Sequence, residues 1–464
     1  MIIDPREFSE LKNHLSEAVS DLEKKYSYAE AFFSEEEGLS IGVSDKETNI
    51  NEIPARRGVV LNIFNGSYSC EIATSDTSEK GIASIVKNAC ATIPLTPEKY
   101  TLDPGNRLTR DFISSFKQNP SEIDLPSKLA ELESIRQKTQ HMSKRVVSTF
   151  VRYSEKVSRK IFVNRHRQLT QQLLRTACVP VVIVSDGMSS KINHAGNGKT
   201  AGYEIVNISD SILNQMVEEA ESLLGIPPVE PGVYTLISGP GLSGVIAHEA
   251  FGHGVESDLF LKRRAKAVEF MGKSVASPLV NLYDSPAWPG EAGSYFFDDE
   301  GVIASETCII EKGILKRAIT DHRSSVLLNL PRTANGRRES FAKKVYTRMS
   351  NTYFGRGAQP LDDMIQSIDR GLFLPKGSNG MEDPKNWGIQ AESPYAVEIK
   401  NGKLTDRKFA PIVITGFVPE LLKSISMVGP EIEFEGMGIC QKGHKEQVHV
   451  AIGGPFMKMR ARVG

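Results

Sequence analysis

Hydrophobic and polar positions in the first half of the chain fall into two blocks of similar plan, each a helix, then strands, then a closing helix. Asp4 as a cap and Pro5 at the first helical position open a helix predicted to run to about Lys25. Runs rich in branched and aromatic residues at 29–33, 39–43, 59–64 and 67–73, parted by turn residues such as Asn65-Gly66, predict strands. A helix from about Ser78 to Ala91 closes the block. The second block begins at Pro126-Ser127-Lys128, where Leu129, Leu132 and Ile135 share one helical face. Strands are predicted at 145–153, 160–164, 169–176 and 179–184, and a last helix from about Ser209 to Leu224 ends at Gly225.

The stretch Ile226-Pro227-Pro228-Val229-Glu230-Pro231-Gly232 reads as a linker. It divides an N-terminal region, 1–225, with units at 1–120 and 121–225, from a strand-rich C-terminal domain, 226–464, that holds every chemical motif discussed below. Strand-rich stretches with sparse helices favour an α+β fold over a doubly wound α/β sheet.

Composition narrows this little. A net charge of −1 gives no global reason to expect a nucleic acid or an anionic membrane as partner. The start of the chain lacks a basic-then-apolar signal pattern, no apolar run reaches about 18 residues, and the five scattered cysteines form no CxxC pair. A cytoplasmic protein is expected. Between Lys144 and Arg175 nine basic residues meet a single acid, Glu155, a pattern expected of a solvated sheet face or a subunit contact.

The chemistry concentrates in Val245-Ile246-Ala247-His248-Glu249-Ala250-Phe251-Gly252-His253-Gly254. Neutral imidazoles bind zinc, and a carboxylate beside the first ligand can act as a general base toward water. In the common zinc-peptidase helix the histidines stand four apart, whereas here the interval is five. On a straight helix five steps separate the rings by roughly 140° and about 7.5 Å, too far for bonds of about 2.0 Å to one ion. The backbone is therefore expected to widen into a π-type turn, or to leave the helix near Gly252.

A catalytic zinc commonly takes a third protein ligand. Candidates are Cys440, His444, His449, His322, Glu256 and Asp258. Cys440 is favoured, because the glycines of Gly436-Met437-Gly438-Ile439-Cys440 allow close backbone approach and a thiolate binds zinc strongly. Other stretches are secondary. Ser238 to Gly244 lacks the ending of a phosphate loop and reads as a flexible entry to the metal helix. Asp298-Asp299-Glu300-Gly301 reads as a turn rather than a calcium loop. Asn335 to Ser340 and Arg348 to Thr352 are rich in hydrogen-bond donors, as either a peptide-holding wall or a set of surface salt bridges would be.

The His-Glu-x-x-x-His motif at 248–253, the donor-rich 335–352 segment and the late Gly-Met-Gly-Ile-Cys, in this order, resemble the TldD/PmbA family of peptidases, and the chain resembles its metal-bearing TldD type. The resemblance implies a zinc peptidase with His248, His253 and Cys440 as ligands and Glu249 as base. It implies action on unfolded peptides, in leader-peptide processing or antitoxin-type degradation, by a homodimer or a heterodimer with a PmbA-type (TldE) chain. The competing function is a non-catalytic regulatory subunit for gyrase or toxin-antitoxin partners. One departure from the family pattern is the basic segment after Cys440, Gln441-Lys442-Gly443-His444-Lys445.

Overall fold

The computed structural model describes residues 5–436, 438–442 and 446–464, so Asp4 and His444 lie outside the described residues. The fold is α+β. Strands β1 (Tyr28–Ser44), β2 (Thr48–Phe64), β3 (Ser69–Thr74), β4 (Leu108–Ile113), β5 (Val146–Asn164) and β6 (Arg167–Ser185) form one sheet in the order β3-β2-β1-β5-β6-β4. Two short strands, Ser190–His194 and Asn197–Lys199, add to β6. The units at 1–120 and 121–225 thus share a sheet.

The short strands expected at 29–33 and 39–43 are one long strand, and the same holds for 145–153 with 160–164 and for 169–176 with 179–184. Polar residues that interrupt the apolar pattern of β1 lie opposite polar residues of β5, and ion pairs take over from apolar contact there. Arg159, 1% exposed, binds Glu35 at 2.7 Å and Glu37 at 2.8 Å, and Lys156 binds Glu36 at 2.6 Å. Cross-strand partners of this kind hold a ladder together through a polar stretch.

Helices α1 (Pro5–Glu23), α2 (Glu79–Thr92), α3 (Leu125–His141) and α4 (Asp210–Ser222) cover one face of the sheet. Side chains alternate along a strand, and the face carrying Ala31, Phe33, Ile161 and Val163 packs on Leu15 and Leu22 of α1 and Ile82 of α2. Further along the same face Ile41, Val151 and Tyr153 meet Leu132 of α3 and Leu213 and Val217 of α4.

The opposite face, which mixes polar residues with Phe162 and Leu169, meets the C-terminal half. Lys160 pairs with Asp299, Arg338 with Glu71 at 2.6 Å, and Arg175 donates to the carbonyls of Ala292 and Ser294, each at 2.8 Å. Part of the basic stretch 144–175 is therefore held within the chain, through Arg159, Lys160 and Arg175, while Lys144, Arg145, Arg152 and Arg165 are exposed.

The C-terminal half is built on two further sheets. In the larger, the strand Gly232–Ser238 lies between Met457–Val463 and Arg370–Leu374, and Asn379–Asp383 forms one edge. The smaller includes Leu282–Asp284, Asn351–Phe354 and Ala451–Gly454. Helix α5 (Pro240–Ala247), buried along its whole length, contacts strands of both sheets. Its Leu242 and Ile246 share a core with Leu282, Phe354, Ile389 and Ile414.

The glycines at the start of α5 serve contact rather than flexibility. A Cβ on Gly244 would lie 2.6 Å from the Gly453 backbone nitrogen, so glycine there lets helix and strand touch. Asp298 to Gly301 is the expected turn: the Asp298 carboxylate accepts the Val302 N–H at 2.8 Å, and Gly301 adopts a φ of +72°. No described helix is long and apolar enough to cross a membrane.

Candidate metal centre

Helix α5 ends at Ala247 and the backbone then widens into a π turn over His248–Gly252. The N–H of His253 reaches back five residues to the carbonyl of His248, and a 3-10 turn, His253–Val255, follows. This is the local geometry the five-residue interval demands: a π step turns less per residue, so both rings come to one side. Their centroids lie 5.2 Å apart with planes at 84°. Gly252 permits the turn, since a side chain there would collide with the sulfur of buried Met349.

Cys440 arrives on a two-stranded ribbon, Ile439–Cys440 with Val448–His449, in which Cys440 pairs with Val448 and Ile439 with His449. One ligand atom from each of His248, His253 and Cys440 lies within 4.8 Å of the others, and Cys440 Sγ is 3.2 Å from His253 Nε2. A tetrahedral zinc holds nitrogen and sulfur donors about 3.3–3.6 Å apart. The donor set fits such an ion in number and softness, and the His253–Cys440 pair is close to that spacing.

Electrostatics favour the ligating form of the cysteine. Burial pushes the Cys440 thiol up, but the two imidazoles outweigh it and hold it well below the ordinary thiol range. Burial opposes a charge on His253, yet the Cys440 thiolate and Glu256 raise it well above the usual histidine range. His248 is raised in the same way, against burial, by Cys440 and then Glu249. Arg348 adds a donor, with Nη2 2.9 Å from Sγ.

A second tier of charge stands behind the histidine. Glu256, fully buried, has Oε2 3.4 Å from His253 Nδ1, while its Oε1 accepts from Arg348 Nε at 3.0 Å. Lys442 bridges Glu256 at 3.1 Å and Asp258 at 2.6 Å. An imidazole whose far nitrogen faces a carboxylate is fixed in orientation, as in many metal sites.

With this geometry in view, known proteins are informative. Residues 231–461 match the family model described as the PmbA/TldA metallopeptidase C-terminal domain. A metalloprotease of Methanothermobacter thermautotrophicus is 32% identical over 323 residues, which span 69% of this chain and 70% of that relative. The chain belongs to the PmbA/TldD metallopeptidase family. Two solved structures share the family fold along nearly the whole chain. A candidate modulator of a DNA gyrase from Thermotoga maritima is 18% identical with a TM-score of 0.79, covering 98% of this chain and all of that one. TldE from Thermococcus kodakarensis is 17% identical with a TM-score of 0.72, covering 96% and 99%.

In this PmbA/TldD member the other third-ligand candidates among the described residues lie outside the three-residue cluster. Glu256 and Asp258 are bound to Arg348, Lys442 and Lys262. His322 packs edge-on to Tyr28, and His449 sits with Ile439 on the ribbon face opposite Cys440. The unusual basic segment contributes Lys442 to the tier behind His253. The donor-rich 335–352 segment is neither a peptide wall nor a set of surface salt bridges. Asn335, Ser350 and Thr352 converge on buried Asp284, and Arg348 reaches the site itself.

Glu249 is half-buried and packs over Gly380 of the edge strand, where a Cβ would lie 2.6 Å from its Cγ. Sequence reasoning missed Glu382, two residues further on that strand. Both its oxygens are buried without a hydrogen-bond partner among the described residues, and burial pushes its carboxyl well above the carboxylate range, so the group stays neutral. Nothing in the alternation of 379–383 distinguishes it from a strand residue facing solvent.

Proposed function

We propose that the chain is a zinc-dependent peptidase acting on unfolded peptides or small proteins, with His248, His253 and Cys440 holding the metal and Glu249 as general base. The convergence of the three ligand atoms, with Glu249 adjoining the first, carries the reading. A divalent zinc held by two imidazoles and a thiolate supplies Lewis acidity toward a carbonyl and acidifies water. Glu249 takes the proton from the attacking water and returns it to the leaving amine. Glu256 orients the His253 ring through Nδ1, and Arg348 favours the thiolate of Cys440. Glu382, kept neutral by burial, adds no negative charge beside the base.

His248 and Cys440, each 6% exposed, sit too deep for a folded loop, which supports an extended chain as substrate. Leader-peptide and antitoxin-type chains are the proposed classes, following the family resemblance. The working form is proposed as a dimer, of two copies or with a second chain of the TldE type, whose fold this chain shares. All five cysteines are free, in keeping with a reducing cytoplasm.

Elemental analysis of protein purified without chelator tests the centre, with an expected stoichiometry of about one zinc per chain that drops sharply in Cys440→Ala. Glu249→Gln should keep the metal and lose cleavage of a peptide the native chain cuts. Zinc retained in full by Cys440→Ala would overturn the ligand set, and native-rate cleavage by Glu249→Gln would overturn the base.

A further inference from the structure

Three of the nine basic residues between Lys144 and Arg175 have no part in the metal centre but line a cavity beside it. Arg152, Lys156 and Arg175, with Lys199 and His449, surround a space of about 410 Å³. No carboxylate is among the described residues that line it. Ile439 and His449, on the ribbon face turned away from Cys440, form part of its wall, so the cavity begins one residue along the strand from that cysteine.

The arrangement is costly for the fold alone. Lys156 and Arg175 are direct partners across β5 and β6, and like charges placed opposite one another disfavour a sheet. Glu36 offsets Lys156 at 2.6 Å, and Glu291 offsets Lys199 at 2.6 Å. Arg175 has only the carbonyls of Ala292 and Ser294 as bonded partners, with no carboxylate in ion-pair range among the described residues. Burial and then Arg337 push its guanidinium down to about 10. The His449 ring has no hydrogen-bond partner among the described residues. Asn49 and Asn51 add amide donors to the same wall.

We propose that this cavity receives a carboxylate of the peptide being processed, either an Asp or Glu side chain or the C-terminal carboxylate. The proposal rests on the peptidase reading above and names a substrate class for it. A guanidinium with a free edge matches a carboxylate in shape and charge, and Arg152, Lys199 and an imidazole extend the match. A peptide held this way lies against the ribbon that carries Cys440, one residue along the strand from it.

The test is equilibrium binding, by fluorescence anisotropy, to the zinc-loaded full chain carrying Glu249→Gln, so that turnover does not consume the probe. The probes are twelve-residue labelled peptides with one Glu moved along a Leu-Ser-Gly background, the same peptides with Gln in its place, and C-terminally amidated versions of both. A charge-assisted pair in a shielded pocket should make one acidic form bind about tenfold tighter. Sensitivity to Glu→Gln identifies a side chain as the source, and sensitivity to amidation identifies the C-terminus. In Arg175→Gln the preference should fall below about twofold. Because that residue also bonds backbone carbonyls, exposed Arg152→Gln is the second variant and should weaken the preference with the fold intact.

Equal binding of all forms, including no binding of any, overturns the pocket, as does a preference unchanged in both variants. A preference that survives while the native chain cleaves none of the peptides keeps the pocket and counts against the peptidase reading instead.

Discussion

Arg348 has no exposed surface and gives its guanidinium to three acceptors: Glu256 Oε1, Cys440 Sγ and the Glu446 carbonyl. Arg348→Met leaves Glu256 with Lys442 as its remaining strong cation and removes the donor that faces the thiolate. The expected result is a loss of zinc affinity of about 10–100-fold, measured by chelator competition, with a stability loss of about 3–5 kcal/mol for breaking a buried pair. Unchanged zinc affinity would show that Arg348 does not orient Cys440. The histidines and Cys440 are legible in the sequence because their residue types and glycine-rich settings announce metal chemistry. The role of Arg348 is not, because an arginine takes its meaning from partners, and Glu256 and Cys440 each lie 92 residues from it. Glu382 is silent for the same reason, since only the fold removes it from water.

At the scale of elements, one backbone irregularity follows from residue spacing alone. Two histidines five apart cannot face one point on a regular helix, and the backbone widens into the π turn at His248–Gly252. The long strands resist the same reasoning. Polar stretches such as 34–38 suggest strand ends until their partners across the ladder are known, and those partners lie more than a hundred residues away in β5. The glycines of α5 suggest flexibility for a related reason, as their use depends on the distant strand Ala451–Gly454. Gly244→Ala places a Cβ 2.6 Å from the Gly453 nitrogen, a backbone atom that cannot swing aside. Urea unfolding should show a loss of about 1–3 kcal/mol, with reduced zinc content as the helix bearing His248 shifts. Gly42→Ala, with nothing within 4 Å of its added Cβ, is the matched control and should stay within about 0.5 kcal/mol of native. Equal stability of the two variants would mean that α5 is not held by this close approach.

At the scale of the whole molecule, every residue of the proposed centre comes from the C-terminal half, yet the N-terminal half grips the segment that positions it. Glu219 of α4 bonds Lys376 and also accepts from the Tyr395 hydroxyl at 2.6 Å. Lys376 stands between Pro375, packed on Gly239, and Gly377, packed on Leu242, so the join reaches the first turn of the helix that leads to His248. Burial would raise the Glu219 carboxyl, but Lys376, with Tyr395, outweighs it and holds it below its ordinary value. A carboxylate lowered in the folded state stabilises the protein above its unfolded value of about 4.3 and loses that contribution as pH falls through the folded value. Glu219→Gln should therefore lower the thermal midpoint by a few degrees at pH 7. The gap to native should narrow as pH falls below about 4 and close further down, where both chains carry an uncharged group. A gap that persists undiminished at low pH would assign the loss to packing instead. Reduced zinc occupancy in Glu219→Gln at pH 7, with His248, His253 and Cys440 untouched, would show that the N-terminal half supports the centre through this part-buried contact.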